Sequence, residues 1–385
     1  MRAGDVALAA TYFGYYGAIG VFQPYWPAYL ASLGLTAGAI GGMLALFNAV
    51  RVAGPYVSAR AADAIVDRRR VLWTLGLSAL VASLLLTQVR TPLWLALVFA
   101  LFSFACNGLM PIVDTVAIER LAGGAHRYSW LRLWGSIGYV VCAAAMGALI
   151  GAWGPALVPW AIAAMLAVTL LLLLCLPRVA RPAPRAAALS VETGDRRALL
   201  RLLLIAFLHL TGFGAYYGFY TLYLTHYGYA PATIGAYWAF AVAAEVGMFI
   251  AAPALLARIG ARRLLPVALG ATVLRWALCA AFPGSRWVMF AAQSLHLAGF
   301  ALFHAVTVLI APRLVPAGRA ARVQALISGV SWGAGGIAGS LLAGWLWTAA
   351  GPRALFVAAA GLALLAFVLS LGFPAVDAAS GRSSR

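Results

Sequence analysis

The sequence predicts an all-α membrane protein of twelve transmembrane helices arranged as two six-helix pseudo-repeats. Three observations predict it: an apolar composition, the regular recurrence of apolar stretches of spanning length, and the confinement of arginine to alternate loops. Apolar residues make up 64% of the 385-residue chain and charged ones 9%, a balance that a soluble core of that size does not accommodate. The apolar stretches run to about 20 residues, enough to cross ~30 Å of hydrocarbon as helix. They cover approximately 6–30, 36–58, 71–89, 92–118, 133–153, 155–176, 202–226, 232–256, 264–282, 286–311, 323–349 and 353–373.

The first span is longer than a signal-peptide core, and Tyr15, Tyr16, Tyr25 and Trp26 stand where such a peptide needs small residues. It is expected to remain in the mature protein. Cys106, Cys142, Cys175 and Cys279 lie in separate apolar spans without a CxxC pair, so they read as small buried hydrophobes rather than disulfide or metal ligands. The net charge of +18 comes from arginine alone, since the chain has no lysine. A nucleic-acid binder gathers such charge on one soluble domain. Here, with a cytoplasmic N-terminus, the cytoplasmic loops and tails hold Arg68, Arg69, Arg70, Arg196, Arg197, Arg262, Arg263 and most of the others, and the outer loops hold Arg90, Arg286 and Arg353. That asymmetry follows the positive-inside rule and places both termini in the cytoplasm. Abundant Arg and Ala without Lys suggest a GC-rich bacterial genome, hence an inner membrane.

Residues 177–199 are the only long polar stretch, rich in Pro, Ala and Arg. They are expected to link an N-terminal bundle, 1–176, to a C-terminal bundle, 200–375, that ends in a cytoplasmic tail, 376–385. A shift of 194 residues superposes Ile40-Gly41 on Ile234-Gly235, Arg68-Arg69 on Arg262-Arg263, and Leu75-Gly76 on Leu269-Gly270. A parallel repeat about an axis along the membrane normal is a transporter architecture. The same shift sets Arg51 opposite Glu245.

Four ionisable residues lie well inside spans: Arg51, Asp114, Glu245 and Arg275. Each costs about 2.5–3.5 kcal/mol at mid-helix on insertion scales, so pairing, water or function must offset them. One acid and one base in each half suggest two pairs, Arg51 with Asp114 and Arg275 with Glu245. Such pairs serve transport or merely lock helices together. Glu245, near the middle of its span, is the first candidate proton carrier, and Asp114, on one face with Asn107 and Pro111, is the second. Span ten carries Gln293, His296, Phe300 and His304 at helical spacing, a polar stripe that reads as packing or as a lining for proton and substrate. Tyr16 and Tyr216 lie deep enough to line a cavity or to pack, and Tyr220 shares a helical stripe with Tyr216. Candidate substrate contacts are therefore Arg51, Arg275, Asn107, Tyr16, Tyr216, Tyr220, Gln293 and His304; the proton candidates are Glu245, Asp114 and His296. The glycine-rich stretch 333–339 superficially matches a dinucleotide fingerprint but lacks the preceding strand and following acid. Gly335 and Gly339 read instead as close helix packing. The chain shows no P-loop, HExxH or nucleophile elbow, so no enzymatic activity, metal or cofactor is implied.

Two loops carry a resemblance. Ala59, Asp63, Arg68, Arg69 and Arg70 between spans two and three, and Arg258, Gly260, Arg262 and Arg263 between eight and nine, resemble the GxxxDxxGRR signature of the major facilitator superfamily. The first loop has Ala59 for the leading glycine and one extra residue; the second has no acid. The resemblance implies that Asp63, Arg68 and Arg69 gate rather than bind. Pro24-Tyr25-Trp26-Pro27, Asp114, Arg127-Tyr128, Arg132-Leu133-Trp134-Gly135, Ala244-Glu245, Arg275-Trp276, Leu295-His296 and Phe303-His304 are similar to the phenylpropionate-permease and nucleoside-symporter branch, related to the lactose permease. This implies the major facilitator fold and alternating access to a central site. The expected partners are the bilayer, a small solute and the proton, with no nucleic acid and a monomeric carrier. A small organic acid, an aromatic one being suited to the tyrosines, fits if Arg51 and Arg275 meet a carboxylate; a neutral sugar or nucleoside fits if Asp114 and Glu245 already neutralise them. A drug-type exporter and a non-transporting sensor are the rival readings.

Overall fold

In the computed structural model the described residues are 3–64, 67–121, 125–175, 195–316 and 319–374. Among them helix is the sole regular element. The first half comprises α1 (Ala3–Ser32), α2 (Ala37–Ala64), α3 (Arg68–Leu85), α4 (Pro92–Arg120), α5 (Ala125–Trp153) and α6 (Leu157–Leu174). The second begins with α7 (Arg196–His226), α8 (Pro231–Ile259) and α9 (Ala261–Ala281). Its tenth span is broken into α10 (Arg286–Ser294), a π-helical turn (Leu297–Leu302), α11 (Phe303–Ile310) and a 3₁₀ turn (Ala311–Leu314). The eleventh is α12 (Ala320–Ser328), a second π turn (Gly329–Gly335) and α13 (Gly336–Ala350), and α14 (Pro352–Ser370) closes the series. All twelve expected spans are helical. Ten satisfy length and hydropathy for crossing a membrane; the other two are α1, rich in tyrosine, and α3, which opens on three arginines.

Local chemistry sets the ends. Pro92, Pro231 and Pro352 open their helices where no N–H is needed. Asp67 caps α3, its carboxylate accepting from the Arg69 backbone N–H at 3.1 Å. The turns after α1 and α7 each use a left-handed glycine, Gly34 (φ 83°) and Gly228 (φ 78°). They are related by the same 194-residue shift, so the repeat extends to backbone conformation. The stretch expected as linker, 177–199, lies mostly outside the described residues, as does the tail 376–385, and α7 already begins at Arg196.

Contacts divide the chain into two compact units. The first holds Met1–Ala183, Gly214–Ala243 and Ile337–Arg353. In it α1 packs on α5 and α6, α2 on α4, and α3 on α4 and α6, around the stacked rings of Trp26, Phe99 and Phe102 with Phe22 tilted against them. Glycines allow backbones to touch. A Cβ on Gly41 would stand 2.6 Å from the Ser340 carbonyl, and one on Gly147 would stand 2.9 Å from Gly235 Cα. Trp94, Trp153, Trp160 and Trp345 are exposed near helix ends that alternate traverse puts at one face, as in an interfacial belt. The second unit holds Pro184–Phe213, Ala244–Gly336 and Ala354–Arg385. In it α9 packs against α10, the first π turn and α11. Gly335 does pack closely, its missing Cβ being 2.9 Å from the Phe207 carbonyl, but the helix around it is widened into a π turn.

Candidate functional site

Two polar clusters lie at membrane depth, one in each unit. In the second unit α9 contributes Arg275, whose side chain is fully buried and flanked by aromatic faces, with its guanidinium 4.3 Å from the Trp276 ring centroid and 5.8 Å from that of Phe213. Arg275 Nη2 donates to Gln293 Oε1 at 2.6 Å, and Nη1 donates to His296 Nδ1 at 2.6 Å. The other ring nitrogen, Nε2, is 2.5 Å from Glu245 Oε1 on α8. Arginine only donates, so Nδ1 accepts and Nε2 carries the hydrogen given to Glu245. That fixes the neutral ring in one tautomer. Phe300, one turn on, stacks on His296 with centroids 5.3 Å apart.

The expected direct pair Arg275–Glu245 is thus not formed; His296 stands between the two. The helical spacing of Gln293 and His296 puts both on one face, and that face is turned to Arg275. Gln293 and His296 are buried, whereas Glu245 keeps 13% of its side-chain surface. The carboxylate is therefore the least buried end of an Arg275–His296–Glu245 chain.

In the first unit Asp114 Oδ1 accepts from the Tyr12 hydroxyl at 2.5 Å and the Tyr128 hydroxyl at 3.1 Å. The expected Arg51–Asp114 pair is replaced by these tyrosine bonds, because α1 and α5 bring hydroxyls closer to the acid. Arg132 on α5 donates to the Tyr16 hydroxyl and lies 4.7 Å from the Tyr16 ring centroid and 5.8 Å from that of Tyr12. Tyr12 and Tyr16 are parallel, one helical turn apart. Asp114, Tyr16, Tyr128 and Arg132 are all half-buried. Arg51, also half-buried, has Tyr15, Tyr16 and Tyr217 as electrostatic neighbours. The apolar pattern leaves Arg132 just ahead of span five, among the cytoplasmic loop arginines; α5 begins early enough, at Ala125, to carry it inward. The matching four-residue spacings Tyr12–Tyr16 and Tyr128–Arg132 are the signal that points to it.

The remaining candidates are scattered. Tyr216 and Tyr220 are buried in the first unit against Trp238. Asn107 is half-buried and donates to its own helix at Ser103. His304 is exposed, edge-on to Phe249. Of the gating candidates, Arg68 donates from Nη1 to both carboxylate oxygens of Glu119, at 2.9 and 3.2 Å. Arg69 reaches the Leu174 carbonyl at 3.1 Å and covers the Trp73 ring. Asp63 lies in the last turn of α2, and its side chain is outside the described residues. Beside them the buried Asp5 takes Arg127 at 2.8 Å and Arg120 at 3.3 Å. These pairs tie α1, α3, α4 and the start of α5 together at the end that carries the arginine-rich loops.

Residues 6–358 match the MFS_1-like family. The chain belongs to that family of membrane transporters. It is 30% identical over 362 residues to the probable 3-phenylpropionic acid transporter of Escherichia coli, covering 91% of this chain and 93% of that one. It is 29% identical to the maltose permease of Geobacillus stearothermophilus, covering 87% and 86%. Among solved structures, that of the nucleoside transporter NupG aligns with a TM-score of 0.79 at 20% identity, covering 97% of this chain and 99% of that one. This family member is accordingly a multi-pass membrane transporter of small molecules with the major facilitator fold, not an enzyme.

Proposed function

We propose that this transporter is a proton symporter that carries a small aromatic carboxylic acid into the cell across the inner membrane, with both termini cytoplasmic. The observation that carries the coupling is the Arg275–His296–Glu245 chain, in which the carboxylate is the least buried end. With charged Arg275, neutral His296 and charged Glu245, the chain has no net charge; protonation of Glu245 leaves it at plus one. A carrier loaded with one proton and one monocarboxylate then has the same net charge as the empty carrier, so both cross the low-dielectric state at equal electrostatic cost.

The substrate assignment is supported by the 30% identical phenylpropionic acid transporter and by the first cluster. Arg132 offers a planar guanidinium for a carboxylate, and Tyr16 beside it offers a ring face. Asp114, Tyr12 and Tyr128 are the second group to be tested for proton or substrate contact. A neutral sugar is the alternative reading, favoured by the maltose permease relative and by Asp114 as an acceptor for hydroxyls.

The deciding experiment uses purified protein in liposomes with an acidic exterior. Labelled 3-phenylpropionate is expected to accumulate, and a protonophore to abolish accumulation. Accumulation indifferent to the gradient would remove the coupling; accumulation of maltose or a nucleoside in place of the acid would remove the substrate assignment.

A further inference from the structure

The π turn Leu297–Leu302 begins at the residue after His296. A π turn inserts one residue into the helical repeat and loosens the backbone bonding pattern, so it persists where neighbours hold it. Two neighbours do so. From α7, His209 Nε2 meets the Gly299 carbonyl oxygen at 2.8 Å. From α9, Thr272 presses on Gly299 so closely that a Cβ there would stand 2.5 Å from the Thr272 hydroxyl oxygen; Thr272 is one turn ahead of Arg275.

A carbonyl only accepts, so His209 Nε2 carries the hydrogen and Nδ1 has none. That Nδ1 is buried and has no hydrogen-bond partner. Phenylalanine or methionine would fill the same apolar space without an orphaned acceptor. What histidine adds is the donor to Gly299. Its ring is packed 4.1 Å from Phe303 and 4.9 Å from Phe213 by centroids, and Phe213 lies 5.9 Å from His296. His209 thus bonds the middle of the π turn, packs on the residue that follows it and, through Phe213, reaches the ring that precedes it. Relaxation of the turn to α geometry would rotate the residues beyond it relative to His296 by about 100°, one residue of helix.

We infer that His209 is a positioning residue, holding the π turn so that His296 points one nitrogen at Arg275 and the other at Glu245. Its importance for transport rests on the coupling role proposed for His296 and Glu245. Among the groups facing His296 are Arg275 from α9, Glu245 from α8, and the Phe213 and Phe300 rings, with His209 an electrostatic neighbour.

The test is nuclear magnetic resonance of ¹⁵N-histidine-labelled protein in nanodiscs, with the His296 signals among the five histidines assigned by His296→Gln. His209→Phe is expected to move the His296 ring-nitrogen signals and to lower gradient-driven uptake about tenfold, the effect of one buried hydrogen bond. His209→Gln, whose amide N–H can reach the Gly299 carbonyl, is expected to restore both to within about twofold of wild type. Should His209→Phe not fold, Gly299→Ala displaces the same turn from the α9 side, and Gly299→Ala with Thr272→Ala is expected to restore the His296 signals. Unmoved His296 signals in His209→Phe or Gly299→Ala, or a His209→Gln protein as defective as His209→Phe, would overturn the proposal. The signals decide the positioning role even if wild-type uptake ignores the pH gradient, an outcome that removes only the coupling.

Discussion

Replacing Arg275 with methionine keeps most of the side-chain volume and removes the guanidinium. The structure then leaves Gln293 Oε1 and His296 Nδ1 without the donors now 2.6 Å away, and a Glu245 carboxylate with no balancing cation. Breaking a buried ionic arrangement from one side costs about 3–5 kcal/mol. If Glu245→Gln accompanies the change, the unbalanced charge goes too, and the remaining loss of neutral hydrogen bonds is about 1–3 kcal/mol. At roughly 2 cal/mol/K per residue of unfolding entropy, a chain of this length loses about 1 °C in Tm per kcal/mol. Arg275→Met is therefore expected to lower the melting temperature by about 3–5 °C, and the double variant by about 1–3 °C, measured by intrinsic tryptophan fluorescence in one detergent at one protein concentration. A double variant that melts at or below the single one would show that Arg275 and Glu245 are not coupled through His296.

The same geometry sets three further outcomes. Glu245→Gln, which can still accept from His296 Nε2 through its amide oxygen, is expected to lose gradient-driven accumulation while keeping substrate exchange across liposomes at a rate within about threefold of wild type; gradient-driven uptake at the wild-type rate would clear Glu245 of proton carrying. Arg132→Lys retains the charge but not the planar stack on Tyr16, so the KM for 3-phenylpropionate should rise about tenfold with little change in the maximal rate, and an unchanged KM in uptake assays would place the carboxylate elsewhere. Tyr12→Phe removes a charge-assisted bond to Asp114 of about 1.5–3 kcal/mol, with a Tm drop of about 2–3 °C; Asp114→Asn in the Tyr12→Phe background should cost less than in wild type, and full additivity would dissolve the Tyr12–Asp114 link.

The membrane fold was legible because its signals are long-range averages: apolar runs, loop arginines and a repeat that survives down to the turn glycines Gly34 and Gly228. Arg275 and Glu245 also stood out, since a charge in an apolar run is conspicuous. Their partners were not legible, because which helix faces which is decided by packing across the bundle. His296 lies on the same visible stripe as Gln293, yet spacing along one helix does not reveal that Arg275 fills the gap between that stripe and α9. Arg132 was hidden by its position at the polar entry of α5, where an arginine is cheap and expected. The π turns left no distinctive mark either: Gly299 and Gly335 serve close packing equally well in an ordinary α-helix.

The fixed tautomer of His296 bears on leakage. A proton that reaches Glu245 has nowhere further to go along the chain. The next group already holds its hydrogen on the near nitrogen, and its far nitrogen faces an arginine that accepts nothing. The arrangement is a cul-de-sac, in contrast to the continuous proton wire of a channel. For a carrier that takes its proton at Glu245, as proposed above, that proton leaves by the door through which it entered, so net movement requires that door to change sides.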